Sequence, residues 1–165
     1  MSTIKAIGRL GAVIVLIAVF FALAGAVGLR EPWAALLFLF QWSMMEEMKL
    51  DRLPRSVLGA ATGVAIASLP AWLTPSIGAG AGLAVMLMAV LVAVFLLIRG
   101  MAGVVINPAT MAFLTVATIP HITQAARPVD LFLGIVAGVI YFGGLAAIPA
   151  ALAKRRAGVS EGAAP

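Results

Sequence analysis

Pro32-Trp33-Ala34-Ala35-Leu36-Leu37-Phe38-Leu39 leads through a polar loop to Leu58-Gly59-Ala60-Ala61-Thr62-Gly63-Val64, and Pro108-Ala109-Thr110-Met111-Ala112-Phe113-Leu114-Thr115 leads through another to Leu133-Gly134-Ile135-Val136-Ala137-Gly138-Val139. The two stretches read as copies of one unit, with Pro-to-Gly spacings that differ by one residue. A further long apolar segment precedes each copy, so each half holds three hydrophobic segments. An odd number of crossings inserts the second half upside down relative to the first. Inverted repeats in a membrane are a signature of channels and transporters, with the solute site near the bilayer midplane between the halves.

Composition agrees with a membrane setting. Hydrophobic residues make up 64% of the chain and charged ones 10%, and several apolar runs approach the ~20 residues needed to cross a hydrocarbon core. A polytopic all-α membrane protein is expected. The chain has no cysteine and one histidine, His121, which excludes disulfides, thiolate metal sites and His clusters. Gly78-Ala79-Gly80-Ala81-Gly82 lacks the Lys-Ser/Thr and strand context of a phosphate-binding loop. With no Ser/His/Asp set and no acid–base pair within the spans, neither an enzyme activity nor a metal or cofactor is expected. The net charge of +5 is not a nucleic-acid footprint, because the basic residues sit at span ends and not on one face.

Candidate spans are Leu10 to Leu29, Trp33 to Met45, Ser56 to Leu73, Gly82 to roughly Ile106, Pro108 to Ile119 and Val129 to Ala153. Six crossings with the N-terminus inside put Lys5, Arg9, Lys49, Arg52, Arg55, Arg99, Lys154, Arg155 and Arg156 on the cytoplasmic side and only Arg30 and Arg127 outside. That nine-to-two split improves on the eight-to-three split available if the second segment does not cross. The positive-inside rule therefore favours six spans with both termini cytoplasmic, in a bacterial-type inner membrane. Ala24-Gly25-Ala26, after Lys5, Arg9 and an apolar run, resembles a signal-peptide cleavage site. Because the first span pairs with the fourth in the repeat, it is expected to be retained. The whole is read as one membrane domain, 1–156, with repeat one at about 10–73, repeat two at about 82–153, and a flexible cytoplasmic tail at 157–165.

The second and fifth segments are short. From Pro108 to Ile119 a helix measures about 18 Å against a core of about 30 Å. Each opens with Pro, which suits a first helical turn, and Asn107 is placed to cap the fifth. Such helices either lie in thinned bilayer or start part-way through it with their N-terminal amides facing a solute path. At 100° per residue, Asn107, Thr110, Thr115 and Thr118 share an arc of about 140° that could line a wet cavity, or they could bond their own turns and glue helices together. Arg99 is either an anchor in a tight turn after Ile98 or a guanidinium inside the span that needs a cavity or an anionic partner. Gln41 joins the candidate path. Glu46 and Glu47, close to Lys49, Asp51, Arg52 and Arg55, are candidate proton acceptors or gates, or members of a solvated loop. Gly59 with Gly63, and Gly134 with Gly138, have the small-xxx-small spacing that lets helices approach closely.

Arg30-Glu31-Pro32-Trp33-Ala34-Ala35-Leu36, followed by Arg52-Leu53-Pro54-Arg55-Ser56-Val57-Leu58-Gly59-Ala60-Ala61-Thr62-Gly63, resembles the membrane half of the fusaric-acid-resistance and aromatic-acid-exporter (FUSC-like) family. The layout around Pro108 and Gly134 is also similar to small six-segment bacterial inner-membrane proteins of unknown function. The resemblance implies a six-helix unit, often paired, that moves organic acids or other small anions. This chain departs from that pattern in lacking the family's cytoplasmic domain, which makes a dimeric pore more plausible than energised export. The expectation is thus a homodimeric channel or transporter embedded in lipid, passing a small solute. An organic anion is the expected solute; the alternative is a neutral solute such as urea or ammonia, favoured if Arg99 lies in the turn. A non-transporting accessory subunit is the alternative from another class.

Overall fold

The computed structural model describes residues 3–119, 127–149 and 151. Those residues are all-helical, without strands. The helices are α1 (Thr3–Ala26), α2 (Trp33–Glu46), α3 (Leu53–Ala67), α4 (Leu69–Ile77), α5 (Ala79–Ile98), α6 (Pro108–Ala117) and α7 (Pro128–Gly138), with a 3-10 turn at Leu50–Arg52 and a π-helical turn at Val139–Gly143. Four stretches are long and apolar enough to cross a membrane: Lys5–Ala26, Leu50–Ile77, Ala79–Ile98 and Pro128–Pro149. At 14 and 10 residues, α2 and α6 fall short of that length. The expected tail at 157–165, Lys154 to Arg156 and His121 lie outside the described residues.

The helix ends follow from local chemistry, and they move several boundaries expected from hydropathy. α5 stops at Ile98, eight residues before the expected Ile106. Gly100 adopts φ +64°, and the Gly100 and Met101 amides donate to the Leu97 and Leu96 carbonyls at 3.0 and 2.9 Å, a Schellman termination that needs glycine's left-handed freedom. α1 ends in the same way at Gly28 (φ +70°), where the Gly28 and Leu29 amides donate to the Gly25 and Ala24 carbonyls. The third expected span divides at Ser68. Pro70, in the first turn of α4, cannot continue the α3 hydrogen-bond ladder, and Ser68 Oγ donates to the Val64 carbonyl at 2.7 Å. In the last span the irregularity is the π-turn at Val139–Gly143.

Packing centres on α2, α3, α6 and α7. α3 lies along α6, α2 lies along α7, and the two pairs touch through α2 with α3 and α6 and through α3 with α7. Their shared core contains Phe38, Trp42, Val64, Phe113, Leu131 and Ile135, with Phe38 and Trp42 stacked at 6.2 Å between ring centroids. α1 attaches through Phe20 and Ala24, buried with Ala35 and Phe142, and Tyr141 Oη donates to the Leu16 carbonyl at 3.0 Å. α5 packs along α4 and touches α3. Ile7, Leu10 and Ile14 of α1, and Leu87, Met88 and Leu91 of α5, are exposed, as lipid-facing side chains must be.

Candidate functional site

Four glycines set how the central helices meet. A Cβ on Gly59 would strike the Asn107 side chain, with Cγ at 2.6 Å; one on Gly63 would sit 2.9 Å from the Leu114 amide nitrogen and 3.0 Å from Phe113 Cβ. A Cβ on Gly134 would lie 2.5 Å from the Glu31 carbonyl oxygen and 2.8 Å from Ala34 Cβ, and one on Gly138 would lie 2.8 Å from Ala35 Cα. These positions admit only hydrogen, and at Gly63, Gly134 and Gly138 the neighbour met is backbone. Along each pair the residue numbers rise together. α3 and α6 therefore run in the same direction, as do α2 and α7. The short link of residues 47–52 turns α2 back against α3, so α2 and α6 run in opposite directions.

The starts of α3 and α6 meet at one end of this core. Asn107 caps α6: its Oδ1 accepts from the Ala109 amide at 2.9 Å, and Thr110 Oγ1 accepts from the Asn107 amide at 3.0 Å, a reciprocal capping box. Asn107 Nδ2 donates to the Arg55 carbonyl at 2.9 Å and to the Val104 carbonyl at 3.3 Å, and the Thr110 hydroxyl donates to the Val105 carbonyl at 2.8 Å. Both side chains are buried and bonded within the protein. At the same end Arg52 Nη1 pairs with buried Glu46 Oε2 at 3.0 Å. The opposite end, where α2 and α7 begin, holds Trp33 Nε1 donating to Glu31 Oε2 at 2.5 Å and Arg127 paired with Asp130 Oδ2 at 3.0 Å.

The remaining candidates separate. Arg99 is the C-cap of α5, directly after Ile98, and exposed. Thr115 and Thr118 donate to the Met111 and Thr115 carbonyls at 2.8 and 2.9 Å. Those hydroxyls serve their own helix turn. Glu47 pairs with Lys49 Nζ at 2.9 Å on the surface, and the hydrogen bond and charge of that lysine hold its carboxyl below the usual range. Gln41 is buried, and neither of its amide atoms has a hydrogen-bond partner among the described residues. Ser56 Oγ and Arg55 Nε share that condition. Ser56 and Arg55 were not singled out by sequence reasoning; the available signal was a small hydroxyl directly on the face that carries Gly59, Ala60 and Gly63.

A cavity of about 500 Å³ opens where α3 breaks into α4, beside α5, the end of α6 and the start of α7. Its polar groups are Ser68, Thr74 and Thr118; Ala67, Pro70, Met86, Ala117, Pro128 and Leu131 supply apolar wall. No charged residue lines it among the described residues. Compared with known proteins, the chain matches no family model, no curated protein and no solved structure.

Proposed function

We propose that this chain is a six-segment membrane protein built as a 3+3 inverted repeat that conducts a small uncharged polar solute. The observation that carries this reading is the reciprocal pairing of the halves. The third segment of each half packs, through its two glycines, on the start of the other half's short helix, as a two-fold axis in the membrane plane would require. The opposed directions of α2 and α6 fit the same axis, and such repeats place a solute site between their halves. The first helices also end alike, at Gly28 and Gly100.

With the positive-inside rule, the end bearing Lys49, Arg52, Arg55 and Arg99 faces the cytoplasm. An uncharged solute is favoured over the organic anion because Arg99 is exposed at a helix cap and the cavity lining carries no charge among the described residues. The test is flux into proteoliposomes, with urea and glycerol as neutral probes and malonate as the anion. Protein-dependent entry of a neutral probe with exclusion of malonate is expected. Entry of malonate alone would restore the anion reading, and no entry of any probe would leave an accessory role.

A further inference from the structure

We infer that Gln41 and Ser56 form a binding site for a small amide-type solute, a carboxamide or a urea, at the Arg52 end of the core; this deepens, and rests on, the conducting role proposed above. Gln41 is 4% exposed and Ser56 1%, and both amide atoms of the one and the hydroxyl of the other lack partners among the described residues. Buried polar groups are nearly always hydrogen-bonded, and an intramembrane exception marks a place where something polar binds. Gln41 lies five residues before Glu46 and Ser56 four after Arg52, the two residues that form the ion pair. Both therefore lie near the ion-paired end of two helices that pack together.

The repeat supplies an independent reason to expect a site there. The shift that carries Gly59 onto Gly134 carries Leu53 onto Pro128, Ser56 onto Leu131 and Ser68 onto Gly143; the shift that carries Pro32 onto Pro108 carries Gln41 onto Ala117. Ser68, Ala117, Pro128 and Leu131 all line the open cavity. Their counterparts lie at the other end of the core, where Leu53 closes over Gly143, its Cδ2 lying 3.3 Å from where a Cβ would stand. The molecule is open at one of two related positions and closed at the other. The closed one holds the unpartnered amide and hydroxyl.

The chemistry selects the ligand. A carboxamide presents N–H donors and a carbonyl acceptor side by side, so another amide meets it with two reciprocal hydrogen bonds, N–H of each to the carbonyl of the other. The Ser56 hydroxyl is left to donate or accept once more. Arg55 reaches instead toward Gly103, its Nη2 3.9 Å from that glycine's Cβ position.

Protein-dependent urea flux in proteoliposomes tests the assignment, with Gln41→Leu and Ser56→Ala as variants. Loss of one net hydrogen bond in Ser56→Ala should cost about three- to ten-fold in flux, and loss of the amide pair in Gln41→Leu about ten-fold or more. Gln41→Leu should also melt at a higher temperature, since the unpartnered amide is gone, and this separates loss of the site from loss of the fold. Urea flux in Gln41→Leu within about two-fold of wild type would overturn the inference, and so would wild-type protein that passes glycerol but no urea. In both cases the conducting role survives. Protein that passes no probe removes the conducting role itself. Should Gln41→Leu fail to fold, Ser56→Ala decides alone.

Discussion

A methyl group added at Gly63 would stand 2.9 Å from the Leu114 amide nitrogen and 3.0 Å from Phe113 Cβ, and closer still to the Thr110 carbonyl oxygen. Two of these neighbours are α6 backbone, which cannot swing aside as the tip of a long side chain would. Ordinary contact begins at 3.4 Å, so α3 and α6 must part by at least about half an ångström, loosening Val64, Phe113 and Leu114 as they do. Overpacking costs about 1–3 kcal/mol, and three short contacts at once place Gly63→Ala in the upper part of that range. Alanine's better helix propensity returns about 1 kcal/mol. The expected net loss is about 1–2 kcal/mol. Gly138→Ala, facing Ala35 Cα and Cβ at 2.8 and 2.9 Å, should lose a similar amount. Gly11 and Gly144 have nothing within 4 Å of the added methyl, so alanine there should be neutral or stabilising by up to about 1 kcal/mol. Reversible unfolding in mixed detergent micelles, followed by helicity, measures all four. A Gly63→Ala protein as stable as Gly11→Ala would mean that α3 and α6 do not meet through their backbones.

Asn107→Ala should cost about 2–3 kcal/mol in the same assay, through loss of the α6 cap and of the tie to the Arg55 carbonyl; a change under about 0.5 kcal/mol would remove the capping box from the structural account. Arg52→Ala strands the buried Glu46 side chain and should destabilise the fold, with partial recovery in an Arg52→Ala, Glu46→Gln double variant; no recovery would show that the ion pair is not the cause. Arg99→Gln should leave solute flux and its charge preference unchanged, because the side chain is exposed beyond α5, and a fall in flux would return Arg99 to the path. Glu47 is held below the usual carboxylate range by Lys49. Its contribution is present above the unfolded pKa and fades only as pH falls through the lower folded value, so Glu47→Gln should not alter flux between about pH 7 and pH 5. A pH-dependent difference over that window would give Glu47 a gating role.

Hydropathy made the apolar segments legible because a membrane helix declares itself by length and composition. The Pro and Gly positions were legible for a different reason: Pro32 and Pro108 suit helix starts, Gly59 leaves room for the Asn107 side chain, and Gly63, Gly134 and Gly138 admit a neighbouring backbone. Asn107 as a cap followed from its place before a first-turn Pro. The end of the fourth segment stayed open between Ile98 and Ile106 because apolar residues continue from Met101 to Ile106, and hydropathy cannot see that Gly100 has already turned the chain. The threonine face was ambiguous for a physical reason: a hydroxyl on a helix can bond a solute or its own preceding turn, and Thr115 does the latter. Ser56 and the π-turn at Val139–Gly143 depend on which neighbours arrive across the core, and no local pattern reports that.

The packing of α3 on α6 and of α2 on α7 also constrains how such a chain is made. Membrane proteins enter the bilayer segment by segment, and 52 residues separate Arg55 from the Asn107 that bonds it. When α3 first inserts, the glycine groove that α6 will fill is still without its partner helix. α6, at 10 residues, has too little apolar length to claim a place in the bilayer unaided; the waiting groove is what can recruit it. α2 in turn gains its Gly134 and Gly138 partner only when α7 emerges. A ribosome stalled before α6 would therefore leave a nascent chain whose α3 glycine surface, Gly59 and Gly63, has no partner helix.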